Sequence, residues 1–302
     1  MTPRTTRSLF LAVVLAAAAG CGDKKPADAG KAPAGSGSAL VGSGSALVGS
    51  GSAGSGSAIS PAPAPYVVPT TARAVGAERT VTSTFALTGT TTAAGAKAPT
   101  PLAQAETATW TDTIKAMDGD VITALDISYA TQTDAAGSAA AAPGPLAGKT
   151  YTATLDAKTK QVVVTGTKPT AAEKARVALA VADDVGVPAL VGRVLGGTAF
   201  TLGTKVELPA SALTAFFAVK EAVGTTFAMT LDKLDEQAAT FSFTGTGTMK
   251  IAAVDVALTL RGTLELGAST GWVQRLETTA DLAATIPVLT GTATGSQTIT
   301  YR

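Results

Sequence analysis

Residues 79–89 read Arg-Thr-Val-Thr-Ser-Thr-Phe-Ala-Leu-Thr-Gly. In an extended chain Val81, Ser83, Phe85 and Leu87 fall on one side, and Thr80, Thr82, Thr84 and Thr88 on the other. Period two of this quality predicts a strand with one dry and one wet face. Threonine is β-branched and half-polar, which suits the wet face of an antiparallel sheet. From Tyr66 onward it makes up roughly a fifth of the residues.

The same alternation recurs along the chain. Residues 121–131 align Val121, Thr123, Leu125, Ile127 and Tyr129, and residues 226–232 align Phe227, Met229 and Leu231. Phe241 and Phe243 follow, then Val256, Leu258, Leu260, Leu264 and Leu266. Short polar segments join these runs as hairpins: Asp118-Gly119-Asp120, Ala157–Lys160 and Ala268–Gly271. Ala135–Gly148 has no period and reads as a loop.

The middle of the chain differs. Thr170-Ala171-Ala172-Glu173, just after Pro169, is a capping box that opens a run of helix formers ending by Gly186-Val187-Pro188. Ala189–Leu195 and Ser211–Glu221 are further helices, ended by Gly196-Gly197 and Gly224. The expected fold class is therefore α+β: a mostly antiparallel, curved sheet forming a half-barrel, with a central helical insert at about 169–222. This order of elements over roughly 78–302 resembles the lipoprotein carriers of bacterial envelopes and groups of uncharacterised bacterial lipoproteins. The resemblance implies an incomplete barrel closed by helices that holds acyl chains inside.

Upstream of the strands lies a stretch without a folding pattern. Residues 22–65 are mostly Gly, Ser, Ala and Pro, with GSGSALV at 35–41 and again at 42–48. The seven-residue period is not a coiled coil, because two Gly and two Ser per repeat disfavour a helix. Gly49–Gly54 spells a formal GxGxxG that follows no strand and opens no helix, so it binds no nucleotide. A flexible chain of this length spans ~35–40 Å on average, so the segment reads as a tether.

Residues 1–21 read MTPRTTRSLFLAVVLAAAAGC. Arg4 and Arg7 precede an apolar stretch, Leu9–Ala19, too short to span a bilayer, and small residues lead into Cys21. The segment resembles a bacterial lipoprotein signal peptide, with Ala18 where the lipobox usually has Leu. The resemblance implies cleavage between Gly20 and Cys21 and acylation of the Cys21 sulfur with diacylglycerol and palmitate. It also implies anchoring in a membrane, with Gly22 rather than Asp after the cysteine pointing to the outer membrane. The expected domains are thus a signal peptide (1–20), an acylated cysteine with its tether (21–65), and a β-rich globular domain (66–302). Cys21 is the single cysteine, so the globular part folds without a disulfide.

Composition excludes several functions. Lys and Arg number 23 against 22 Asp and Glu, and without Arg4 and Arg7 the balance is −1, which offers nothing to nucleic acid. The chain has no histidine, which removes Ser-His-Asp and Cys-His nucleophiles, HExxH metal helices and most zinc sites. Asp118 and Asp120 lack the further oxygens of a calcium loop and read as a turn, as do Asp232, Asp235 and Glu236. Asp183-Asp184 reads as an exposed pair, although it closes a helix where negative charge is disfavoured and a cationic partner would relieve it.

The expected protein is a non-enzymatic envelope lipoprotein without a cofactor. Its head binds a lipid, another apolar ligand or an envelope partner. Phe85, Trp110, Phe227, Phe241, Phe243 and Trp272 are the candidate lining of an apolar site. The alternatives are a structural scaffold whose aromatics simply fill a core, and a hydrolase using paired carboxylates.

Overall fold

The computed structural model describes residues 64–70, 73–182, 184–217, 222–251, 254–286 and 289–302. The signal segment, Gly20, Cys21 and most of the tether lie outside the described residues, as does Asp183. The strands are β1 (Tyr66–Val67), β2 (Glu78–Ala93), β3 (Thr100–Asp118), β4 (Val121–Ala136), β5 (Ala142–Pro143), β6 (Thr150–Leu155) and β7 (Val162–Gly166). Then come β8 (Ala199–Phe200), β9 (Lys205–Glu207), β10 (Ala222–Leu234), β11 (Ala238–Ile251), β12 (Val254–Gly267), β13 (Val273–Ile286) and β14 (Leu289–Tyr301). Three helices lie between β7 and β10: α1 (Ala171–Ala180), α2 (Leu190–Leu195) and α3 (Ala210–Phe217). No helix among the described residues is long and apolar enough to cross a membrane.

One 12-stranded antiparallel sheet carries the fold, in the order β7-β6-β4-β3-β2-β14-β13-β12-β11-β10-β9, with β5 alongside β4. β2 and β14 are neighbours at its centre, paired from Val81↔Tyr301 to Ala93↔Leu289. Successive hairpins spread outward from this seam on both flanks. The expected α+β fold, a mostly antiparallel sheet with a few helices, is what forms; the sheet is open and uncurled, in rough agreement with the expected half-barrel. Its edges, β7 and β9, lie ten spacings apart along the sheet, ~48 Å at about 4.8 Å per strand. The chain between them has to cross one face of the sheet, and the helical insert is that crossing.

Alternation decides which face is covered. Val81, Phe85 and Leu87 are buried beneath the insert, while Thr82, Thr84 and Thr88 are exposed behind. On the outer face hydroxyls meet across strands, Thr82 with Thr109 at 3.4 Å and Thr226 with Thr246 at 2.8 Å. Along β4 the expected phase holds only for Leu125, Ile127 and Tyr129. Register shifts between Ile114 and Met117 turn Ile122 inward in place of Val121 and Thr123, and another at Trp110 turns Gln132 inward.

The insert begins as its capping box dictates. Glu173 N donates to Thr170 Oγ1 at 3.2 Å, and Thr170 N donates to Glu173 Oε2 at 3.0 Å. Helix α3 reaches Phe217, and residues 218–221 lie outside the described set. Gly224 does not end that helix: with φ +63° it sits in a bulge of β10, between Val223 and Thr226. The short strands β8 and β9 within the insert were not anticipated.

Two separate cores result. Helices α2 and α3 cover β10–β14 and part of β2, packing Leu195, Leu213 and Phe216 against Phe227, Phe241 and Leu260. Here Gly245 leaves room for the helix, since a Cβ would stand 2.6 Å from Leu213 Cδ1 and push that side chain aside. Helix α1 covers β3, β4, β6 and β7, packing Val177 and Val181 with Leu125, Ile127 and Tyr151. Between the two cores, under the linker that joins α1 to α2, the sheet is not filled.

Candidate functional site

That gap is a cavity of about 610 Å³. Its floor is the inner face of β2, β3 and β14, and the registers set the floor in rows. One row is Trp110–Val81–Tyr301, the next Ala108–Ser83–Ile299, the next Glu106–Phe85–Gln297. The roof is the end of α1 with Leu179 and Ala180, then Val187–Ala189, then Leu190 and Val191 of α2. Hairpin β12–β13 closes one side with Gly271 and Trp272. Small inward side chains at Ser83 and Ala108, where the flanking cores carry Leu and Phe, leave this space open.

Asp112 faces Arg79 in the row beyond Tyr301, a cross-strand ion pair on the inner face. Arg79 Nε donates to Asp112 Oδ2 at 2.6 Å, and its Nη2 donates to Asp184 Oδ2 at 2.6 Å. The same guanidinium lies over the Tyr301 ring at 4.9 Å. Arg73 Nη1 reaches Asp184 Oδ1 at 3.5 Å, and its guanidinium lies 5.9 Å from the centre of the Trp272 ring. Asp184 therefore ties the segment after α1 to β2. It is not the plain exposed carboxylate expected from its position at a helix end.

Burial dominates the electrostatics of this cluster. Asp112 is 2% exposed, and its Oδ1 has no hydrogen-bond partner among the described residues. Desolvation pushes its carboxyl up to about 6, with Asp184 adding to the shift and Arg79 opposing it. Burial works against charge on Arg79 too, yet Asp184 and Asp112 hold its guanidinium above the ordinary range. Arg73 is lowered, first by burial and then by the like charge of Arg79. Further along the floor Glu106 accepts from Gln132 Nε2 at 2.8 Å and is pushed up, chiefly by burial.

A second cavity of about 500 Å³ meets the first at this cluster, sharing Arg73, Arg79, Trp272 and Tyr301 with it. It runs towards Ile114, Leu125 and the chain end at Arg302.

Of the six aromatic candidates, Phe85, Trp110 and Trp272 line the larger cavity. Phe227, Phe241 and Phe243 lie in the packed core under α2 and α3, away from its lining. Trp110 continues into an aromatic wall, with Tyr129 at 5.6 Å and Tyr151 beyond at 6.2 Å. Asp118 and Asp120 are exposed at the β3–β4 turn, with Asp120 at the cavity edge. Asp235 caps its own turn, accepting from Gln237 N and Ala238 N. Among the described residues no three Asp, Glu, Cys or His side chains group to hold a metal.

Sequence reading missed Arg73, Arg79 and Asp112. A signal was present in phase: Arg79 shares its side of β2 with Val81 and Phe85, so a charge was due on the dry face.

No protein family matches the chain, and no curated protein does. Among solved structures the chain is similar to lipovitellin, described for its lipid–protein interactions, with TM-score 0.36 and 7% identity. That likeness covers 74% of this chain, which spans only 25% of the lipovitellin chain. It is also similar to an outer membrane channel from Pseudomonas putida F1, with TM-score 0.21 and 9% identity over 77% of this chain and 97% of that one. At these scores neither likeness carries an argument about function.

Proposed function

We propose that this chain is a lipid-anchored envelope protein, acylated at Cys21, whose head holds an apolar ligand between the sheet and its helical insert and catalyses no reaction. The observation that carries the binding role is the cavity of about 610 Å³ floored by Phe85, Ala108, Trp110 and Ile299. It falls within the range of about 300–1,000 Å³ typical of small-molecule sites. A scaffold needs no such space, and a packed centre would stabilise it more. The anchoring half rests on the sequence: Gly20-Cys21 as cleavage and acylation site, with Gly22 favouring the outer membrane.

Two measurements test the two halves separately. The intact mass of the cell-derived protein should correspond to a chain starting at Cys21 plus its acyl groups. A chain still beginning at Met1 refutes the anchor. For the cavity, the mature chain from residue 21, with Cys21→Ser to exclude covalent lipid, is titrated with cis-parinaric acid and examined by native mass spectrometry. A one-to-one complex lost in Ala108→Phe, which fills the floor, is the expected result. An unliganded spectrum together with a flat titration refutes carriage.

A further inference from the structure

We infer that the junction of the two cavities seats an acidic head group, a carboxylate or a phosphate, of an amphiphile whose apolar tail lies along the cavity floor towards Phe85. This rests on the binding role proposed above and names the class of ligand.

The reasoning starts from hydrogen-bonding capacity. A guanidinium carries five N–H donors in a fixed fork. Arg79 commits its fork to two carboxylates, each at 2.6 Å. Arg73 has one contact among the described residues, to Asp184 at the long distance of 3.5 Å, besides its place beside Trp272. Its side chain is only 21% exposed, so it is largely withdrawn from bulk solvent. It also stands close enough to Arg79 for the two positive charges to repel. A half-buried cation with donors to spare, facing a second cation, is the environment an oxyanion improves most.

The acids already present do not fill that role. Asp112 lies buried against Arg79 Nε, and Asp184 gives Oδ2 to Arg79 at 2.6 Å and reaches Arg73 only at 3.5 Å. Arg73 lines both cavities, so an anion bound to it stands where they meet. Trp272, 38% exposed beside it, supplies an apolar flank at the entrance.

From this junction the next two rows of the floor carry no charge. The rows pass from Arg79–Asp112 to Trp110–Val81–Tyr301 and Ala108–Ser83–Ile299, and the floor turns polar again at Glu106–Phe85–Gln297. From Arg79 to Phe85 the strand rises ~20 Å at about 3.3 Å per residue. A single extended tail fits that run with its acid at the Arg73 end.

The test uses the mature chain from residue 21 with Cys21→Ser, displacing bound cis-parinaric acid with four competitors. These are palmitate, palmitoyl lysophosphatidate, methyl palmitate and hexadecanol. The acids should compete at least tenfold more strongly than the ester and the alcohol, and raising salt should narrow the gap. Palmitate outperforming lysophosphatidate identifies the head as a carboxylate, and the reverse identifies a phosphate. Arg73→Gln should close the gap between acids and neutral probes, and Arg73→Lys should keep part of it. Equal competition by acids and neutrals, or an undiminished gap in Arg73→Gln, overturns the head-group assignment while leaving apolar binding standing. No competition by any of the four, with no cis-parinaric acid bound, overturns both.

Discussion

Asp112 gives the sharpest quantitative expectation. Its carboxyl is buried on the inner face of β3 and moves from 3.8 to about 6 on folding. The folded chain therefore holds this proton more tightly than the unfolded chain does. The resulting stabilisation is complete below about pH 3.8 and is lost as pH rises through about 6. At about 1.4 kcal/mol per pH unit the loss amounts to roughly 3 kcal/mol. Asp112→Asn keeps the shape and removes the titration. Urea unfolding of both proteins at intervals from pH 4 to pH 7.5 isolates the effect, because groups titrating elsewhere, such as Glu106 and Asp235, contribute to both. The variant carries a constant offset from replacing the neutral carboxyl by an amide. Relative to the variant, the unmodified chain should lose roughly 2.5 kcal/mol across that range. A relative gain as pH rises would mean that Arg79 outweighs desolvation, and the account of this cluster would be wrong.

Two further expectations concern the insert and the entrance. Thr170→Ala removes the hydroxyl that caps α1 and should cost about 1 kcal/mol in urea unfolding. Gly271→Ala places a Cβ 1.9 Å from the Pro69 carbonyl oxygen at φ +69°. It should cost at least ~1 kcal/mol and speed trypsin cleavage after Arg73. An unchanged cleavage rate would show that this glycine does not hold the preceding segment in place.

Much of the sheet is legible in the sequence because its strands carry a strong period of two. Phe85 and Leu87, Phe227 to Leu231, and Phe241 to Leu266 all face the side their alternation assigns. The capping box at Thr170 and Glu173 is equally local, and it forms as read. What escapes is long-range. Nothing near Val162 or Lys205 says that these strands are opposite edges of one sheet, and so the insert's passage across the sheet face cannot be read from residue types. The bulges that turn Ile122 and Gln132 inward depend on the partner strand. The site aromatics divide for the same reason: Phe85 and Phe243 look alike in sequence, but only Phe85 lies under the unfilled centre. The charged cluster joins three distant segments, at 73–79, 112 and 184. Arg79 in the dry phase of β2 is its one local trace.

The way the chain enters the globular part has a mechanical consequence. Tyr66 and Val67 pair with Phe200 and Ala199 over only two residues, and Tyr66 Oη donates to the Ala268 carbonyl at 3.2 Å. Val68 is then buried, while Pro69 and Thr70 already border the larger cavity. Tension applied at the amino-terminal end is borne first by these few bonds, and long before the central hairpins feel it. A pull from that direction loosens the rim of the cavity while the threonine-backed strands stay whole.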